Sequence, residues 1–322
     1  MGIKLLNKYF KNECPRAIKQ KTFWELREKK IVIDTSIYMY RFACDDSLID
    51  GMYQLIITLL SYNIIPVFVF DGKPPAEKKA LLEKRREDKY KAKEKYKILS
   101  EKVKTLEKRD DIDNLKAIYN ELDTLKKKSI SLSAEDINNV KCLIKLCGVT
   151  YLEAEGEADE LCAKLVIKKR VWACMSDDMD MFVYGCPRVL RYVSILNETA
   201  ILYNTKEILR TLKITQTELR EICVLSGTDY NVMEMRQTNL YIILHLFNKY
   251  KKSSKTTITF YNWLENNTSY NFDACKANAI FCMFEMLDIN IKKYDRFKLI
   301  NSAINKEEIR KFLKKYNFIF ID

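Results

Sequence analysis

Short runs of β-branched and aromatic residues that end on an acid recur along this chain, and they constrain its fold more than any other feature. Asp34 closes Ile31-Val32-Ile33, and Asp71 closes Val67-Phe68-Val69-Phe70. Asp178 and Asp180 lie in Ser176-Asp177-Asp178-Met179-Asp180, just after the run from Val171 to Cys174. Short apolar runs alternating with longer helix-like stretches predict an α/β fold, a mostly parallel central sheet flanked by helices. Further strands are expected at Thr150 to Leu152, Val189 to Val193 and Ala200 to Tyr203, and the uncharged stretch from Gly51 to Phe70 reads as a buried helix followed by a strand. Parallel sheets collect ligands at the carboxyl ends of their strands. Acids gathered there repel one another unless cations compensate, so the pattern predicts metal, and oxygen-only ligation favours Mg²⁺ or Mn²⁺. Glu157 and Asp159, expected at the first turn of a helix, and Asp229, after Leu225-Ser226-Gly227-Thr228, bring the acids to seven. One such acid alone is as readily a helix cap or a solvated side chain; the number carries the inference.

Composition narrows the partners. The 322 residues carry 56 Lys plus Arg against 44 Asp plus Glu, a net charge of +12 that favours a polyanion such as nucleic acid. Ten cysteines without a CxxC pair, and His245 as the only histidine, leave too little chemistry for a Cys/His zinc site. They read as reduced core residues. No apolar run is long and uninterrupted enough to span a membrane, because Gln54, Ser61-Tyr62-Asn63 and Pro66 break the longest one. The amino-terminal Met1-Gly2-Ile3-Lys4-Leu5-Leu6 has neither a myristoylation signal nor a secretory apolar region. A soluble intracellular protein is expected. Frequent Lys, Ile and Asn beside only 7 glycines point to an A- and T-rich coding sequence.

Between Glu77 and Arg109 stand 14 Lys and Arg against 7 Asp and Glu, which is more than half of the excess positive charge. Leu115, Ile118, Tyr119, Leu122 and Leu125 follow at helical spacing, so a pair of helices projecting from the body is expected up to about Ser131. Beyond Asp229 the pattern is helical again, through Leu240 to Tyr250 and Asn305 to Tyr316, with a polar linker from Lys251 to Thr257.

The opening Met1-Gly2-Ile3-Lys4, the strand end Val32-Ile33-Asp34-Thr35-Ser36 and Val69-Phe70-Asp71-Gly72-Lys73-Pro74-Pro75 resemble the N-terminal region of the flap endonuclease/XPG superfamily of 5′ nucleases. Glu157-Ala158-Asp159, Asp178-Met179-Asp180 and Leu225-Ser226-Gly227-Thr228-Asp229-Tyr230 resemble its internal region, in the same order and at similar spacing. The resemblance implies a PIN-like 5′ nuclease fold, divided into an N-terminal nuclease region (1–105), an internal region (132–232) and a helical C-terminal region (233–322), with a helical cap or arch at about 77–131. It also implies that Asp34, Asp71, Glu157, Asp159, Asp178, Asp180 and Asp229 ligate two Mg²⁺, directly or through water, with Mn²⁺ able to substitute. Lys78 and Arg85, seven residues apart on one helix face, would reach the scissile phosphate. Gly2, Tyr40, Lys84, Arg86, Lys249 and Lys251 are the implied DNA contacts, Tyr40 by stacking on a base. The implied partner is branched or flapped DNA, with other replication or recombination proteins beside it, in the nucleus or at a cytoplasmic viral replication site. The Asp at position 159 replaces a Glu of flap endonucleases.

The likeness weakens after Asp229. The family's helix-two-turn-helix element has a Gly-rich turn, whereas Asn231 to Asn239 contains no glycine, so duplex anchoring is expected to differ. The last residues show no sliding-clamp motif. The leading expectation is a 5′ flap endonuclease and 5′-3′ exonuclease acting in DNA replication, repair or recombination. An RNA-cleaving or junction-resolving relative, or a non-catalytic nucleic-acid-binding scaffold, are the alternatives; a scaffold would be expected to lose metal carboxylates, and none of the seven is missing.

Overall fold

Alternation along the apolar runs decides the architecture. In β2 (Lys30–Asp34) and β3 (Ile65–Phe70), Val32, Val67 and Val69 join one buried cluster while Ile31, Ile33, Phe68 and Phe70 join another. Successive residues of a strand face opposite sides, so each run feeds a core on both faces of the sheet. The computed structural model describes residues 3–106, 112–231, 239–253, 258–286 and 289–318. Its sheet is completed by β1 (Ile18–Thr22), β4 (Thr150–Glu153), β5 (Ala173–Met175), β6 (Arg188–Ser194) and β7 (Thr199–Asn204). The strand order is β1-β7-β6-β5-β2-β3-β4. Strands β6, β5, β2, β3 and β4 run parallel, and β7 pairs antiparallel with both β6 and β1.

The parallel part is the expected one; β1 is not legible in advance. Its sequence Ile-Lys-Gln-Lys-Thr buries almost nothing and is held at the sheet edge through its pairing with β7. Strand β5 is also shifted toward Met175 from the expected Val171 to Cys174.

One face of the sheet is covered by α2 (Thr35–Cys44), α3 (Leu48–Ser61), α6 (Ala134–Leu146) and α14 (Lys306–Lys314). The other is covered by α1 (Leu6–Glu13), α7 (Ala158–Ile167), α8 (Asp180–Val183), α9 (Thr205–Leu212) and α10 (Gln216–Ser226), then α11 (Leu240–Ser253), α12 (Phe260–Asn267) and α13 (Ala274–Met283). Helix α11 extends through Lys251 to Ser253, which the sequence places in a linker; residues 254–257 lie outside the described residues. Two further helices, α4 (Lys79–Leu106) and α5 (Ile112–Ser129), pair with each other. At 28 residues, α4 is about 40 Å long. The buried residues of this pair include Ala92, Val103, Leu122 and Leu125, and Lys126 ties α5 to Asp46 before α3.

All ten cysteines are free thiols, and Cys142, Cys275 and Cys282 are exposed rather than core residues. Among the described residues no helix is long and apolar enough to cross a membrane.

Chain direction sets where a site can form. From β2 the chain moves to β3 and β4 on one side, then returns to β5 on the other side of β2. This reversal opens a crevice at the carboxyl ends of β2 and β5, where neighbouring loops diverge.

Candidate active site

The acids converge on that crevice. Asp34, Asp71, Glu157, Asp159, Asp178 and Asp229 line one cleft of about 310 Å³, together with Ser36, Tyr40, Lys78, Leu82 and Arg85. Asp180 is not at the surface of the cleft. It is 1% exposed behind Asp178, to whose Oδ1 its backbone N–H donates at 3.0 Å.

Local structure explains why these side chains point inward. Asp34 occupies the N-cap position of α2 yet makes no capping bond; it receives one long hydrogen bond, 3.3 Å, from the Ser176 hydroxyl. Glu157 is likewise the N-cap residue of α7 without capping it. That task falls to Asp71, whose Oδ1 accepts the Ala158 N–H at 2.9 Å while the Ser36 hydroxyl donates to Oδ2. Gly72 permits this closeness: its N–H donates to the Gly156 carbonyl at 2.7 Å, and a Cβ on it would stand 2.1 Å from the Ala154 carbonyl oxygen. Asp229 is presented by a loop that begins at Gly227, with a φ of 101°, and is pinned by buried Asn231. The Asn231 Oδ1 accepts the Thr228 N–H at 2.6 Å, and its Nδ2 donates to the Val224 carbonyl at 2.8 Å.

Two cations enter the cleft. Lys78 is buried, with Nζ 2.7 Å from Glu157 and 4.0 Å from Asp229, and Arg85 Nη2 is 2.8 Å from Asp229 Oδ2. The two do not come from one α-helix: Lys78 ends a short 3₁₀ turn, Ala76–Lys78, and only Arg85 lies within α4. Burial opposes the charge on Lys78, but Asp159 and Glu157 overcome it and hold its pKa above the ordinary value.

The acids remain poorly compensated. Burial, then the charges of Asp71 and Asp178, pushes the Asp34 carboxyl well above the usual range. Burial, then Glu157, does the same for Asp159, and burial, then Asp178 and Asp229, for Asp180. Among the described residues, no three of these carboxylates are already close enough together to hold an ion. The donor set nevertheless fits a divalent, oxygen-seeking cation: every donor is a carboxylate, and the buried Asp180 Oδ1 has no hydrogen-bond partner.

Tyr40 is 41% exposed at the cleft and is not a core residue, unlike Tyr38. The Lys89 ammonium lies 4.8 Å from the Tyr40 ring centre. Positions 78, 82, 85 and 89 recur at helical spacing and face the cleft or Tyr40, whereas Lys84 and Arg86 are exposed and do not line it. Lys249 is exposed on α11, and Lys251 pairs with Glu218 at 2.7 Å. Gly2 lies outside the described residues, as do residues 232–238 of the altered turn. Sequence reasoning missed Ser36, Ser176, Lys89, Tyr230 and Asn231; the helical spacing could have found Lys89, and nothing local marks the others.

An α/β sheet with an acid-lined cleft at its switch point and a long basic helix rising from the rim defines a protein of the 5′ nuclease fold. The XPG N-terminal domain matches residues 1–92 and the XPG I-region matches residues 148–229. The chain belongs to the flap endonuclease/XPG superfamily of 5′ nucleases. Flap endonuclease 1 of Zea mays and that of Glycine max are each 31% identical to it over 249 residues, covering 71% of this chain and 62% of the relative. The chain thus spans under two thirds of the length of these relatives. Among solved structures, flap endonuclease-1 from Methanococcus jannaschii superposes with a TM-score of 0.63 at 24% identity, covering 98% of this chain and 93% of that one. The catalytic core of Rad2 in complex with DNA substrate does so with a TM-score of 0.63 at 20% identity, covering 96% and 93%.

Proposed function

We propose that the chain is a structure-specific nuclease that hydrolyses DNA phosphodiesters at 5′ flaps and 5′ ends, dependent on two Mg²⁺ for which Mn²⁺ can substitute. The observation that carries this reading is the meeting of Lys78 and Arg85 with six acids in one cleft. Asp34, Asp71, Glu157, Asp159, Asp178 and Asp229 would hold the ions directly or through water, with Asp180 behind them. Ions held by these residues would supply the activation of a water and the stabilisation of the leaving oxygen.

The chain's own side chains do the rest. Lys78 and Arg85 pair with Glu157 and Asp229 here, and they stand where a phosphate entering the cleft can take over those pairings. Their charge then offsets the charge that develops on the scissile phosphate. Tyr40, exposed and backed by Lys89, offers a face on which a terminal base can stack whatever its identity. Helices α4 and α5 carry basic residues that hold a single strand by its phosphates, which selects structure rather than sequence. Lys84 and Arg86 on α4 and Lys249 and Lys251 on α11 add phosphate contacts, and Gly2 adds a DNA contact through the amino terminus. The substrates are branched or flapped DNA, met where DNA is replicated, in the nucleus or at a cytoplasmic viral site, alongside other replication or recombination proteins.

One panel tests this. Purified protein with Mg²⁺ is given labelled 5′-flap, nicked, bubble, four-way-junction and RNA-flap substrates. Cutting at the base of the DNA flap, abolished by EDTA, is expected. Cutting confined to four-way junctions or to RNA would replace this reading with a resolving or RNA-cleaving one, and metal-independent binding without cutting would make the protein a scaffold.

A further inference from the structure

Tyr230 follows Asp229 and lines a neighbouring pocket with Asn231 rather than the acid cleft, yet its side chain reaches Glu157. It is 7% exposed. Its hydroxyl donates to Glu157 Oε2 at 2.8 Å and stands 3.2 Å from the hydroxyl of Tyr184. Because the Tyr230 proton is engaged by Glu157, Tyr184 is the donor in the second contact, giving a relay from Tyr184 through Tyr230 to Glu157. The Lys78 ammonium lies 4.8 Å from the centre of the Tyr230 ring, and Phe284 packs edge-on against that ring with centres 5.4 Å apart.

Core packing explains the ring but not the hydroxyl. A phenylalanine would fill the same space against Phe284 and present the same face to Lys78. The hydroxyl is buried beside a carboxylate that has no anchor in its own helix, since Glu157 occupies the N-cap position of α7 without capping it. Apart from Lys78, which a phosphate entering the cleft would engage, the Tyr230 hydroxyl is what holds this carboxylate; a glutamate has one more rotatable bond than an aspartate, so without the hydroxyl Glu157 samples more orientations that a metal has to select against.

We propose that Tyr230 is a positioning residue for phosphodiester cleavage: its hydroxyl fixes the Glu157 carboxylate for metal and its ring holds the Lys78 ammonium for phosphate, keeping the two in register. This rests on the nuclease reading above. Groups that hydrogen-bond a ligating carboxylate fix its orientation, and their removal typically weakens metal affinity or activity about 10- to 100-fold.

The test uses the full chain as wild type, Tyr230→Phe and Tyr230→Leu, with Mn²⁺ binding followed by water-proton relaxation and single-turnover cleavage of a 5′-flap DNA followed across Mg²⁺ concentrations. Tyr230→Phe is expected to weaken Mn²⁺ binding and raise the half-saturating Mg²⁺ about tenfold, with the rate at saturating Mg²⁺ and the melting temperature in EDTA nearly unchanged. Tyr230→Leu is expected to lower the saturating rate about a further tenfold, because Lys78 loses the ring that holds it. Wild-type metal dependence in Tyr230→Phe overturns the proposal and leaves the nuclease reading intact. A wild-type protein that neither binds Mn²⁺ nor cuts overturns both.

Discussion

The cleft and the paired helices α4 and α5 are both densely charged, and they use charge in opposite ways. In the cleft, six acids, with Asp180 buried behind them, meet Lys78 and Arg85 from separate parts of the chain, and several of these groups, Asp34, Asp180 and Lys78 among them, are buried. Lys78, 7% exposed at its side chain, is fixed between Glu157 and Asp229. Along α4, ion pairs such as Lys91 with Glu87 at 3.7 Å and Lys97 with Glu94 at 3.8 Å join exposed side chains. Exposed pairs of this kind contribute about 0 to 1 kcal/mol, whereas stripping one partner from a buried pair costs roughly 3 to 5 kcal/mol. Burial therefore couples individual cleft residues such as Lys78 strongly to their neighbours. Exposure makes the helical residues act as a sum, suited to a partner that presents repeated phosphates.

The sharpest way to break this contrast is to remove one cleft acid. Asp178→Ala is expected to lower single-turnover cleavage by about a thousandfold or more, since a metal is worth several kcal/mol to the transition state. Circular dichroism should show the fold unchanged. Cleavage that persists within tenfold of wild type would mean that the acids are not individually coupled.

A smaller effect concerns the metal-free protein. Asp34 and Asp159 have carboxyls raised by burial first, then by their acidic neighbours, and Glu160 is raised from 4.5 to about 7 by burial, then Glu157. The folded state thus binds protons that the unfolded state releases. That stability is present below the ordinary carboxylate range and is lost as pH rises through the raised values. In EDTA the melting temperature should therefore fall as pH rises, for Glu160 between about 4.5 and 7. Metal holds the ionised forms, so the gain on adding Mg²⁺ should grow with pH, reaching roughly 5 °C at a hundredfold excess over its Kd. A gain independent of pH would separate the acids from metal binding.

The smallest effect is expected on α4. Replacing exposed Lys91, Lys93 and Lys95 together by Gln should weaken flap binding and flatten its logarithmic salt dependence by about one for each phosphate that is no longer neutralised, with little change in the saturated rate. If a single lysine carries the whole change, the helix is as position-specific as the cleft and the contrast fails.

The parallel strands, the acids at their ends and the long basic helix followed by a second one are legible in the sequence. Strand alternation, helical spacing and the residue that closes a run are local signals, set by the backbone period and by neighbours a few positions away. What required the fold is the pairing of distant groups. Lys78 and Glu157 are 79 positions apart and Tyr230 and Glu157 are 73, and no periodicity links them. Edge strand β1 was invisible for a related reason: held by its antiparallel pairing with β7, it has no buried face to write into its side chains. Asp180 behind the cleft, Asp71 capping a helix that is not its own, and Asn231 pinning the loop of Asp229 were likewise decided by tertiary structure. The sequence by itself determined which residues could carry charge to the ends of the strands; only packing decided which of those charges would meet, because burial and distance set the strength of each interaction.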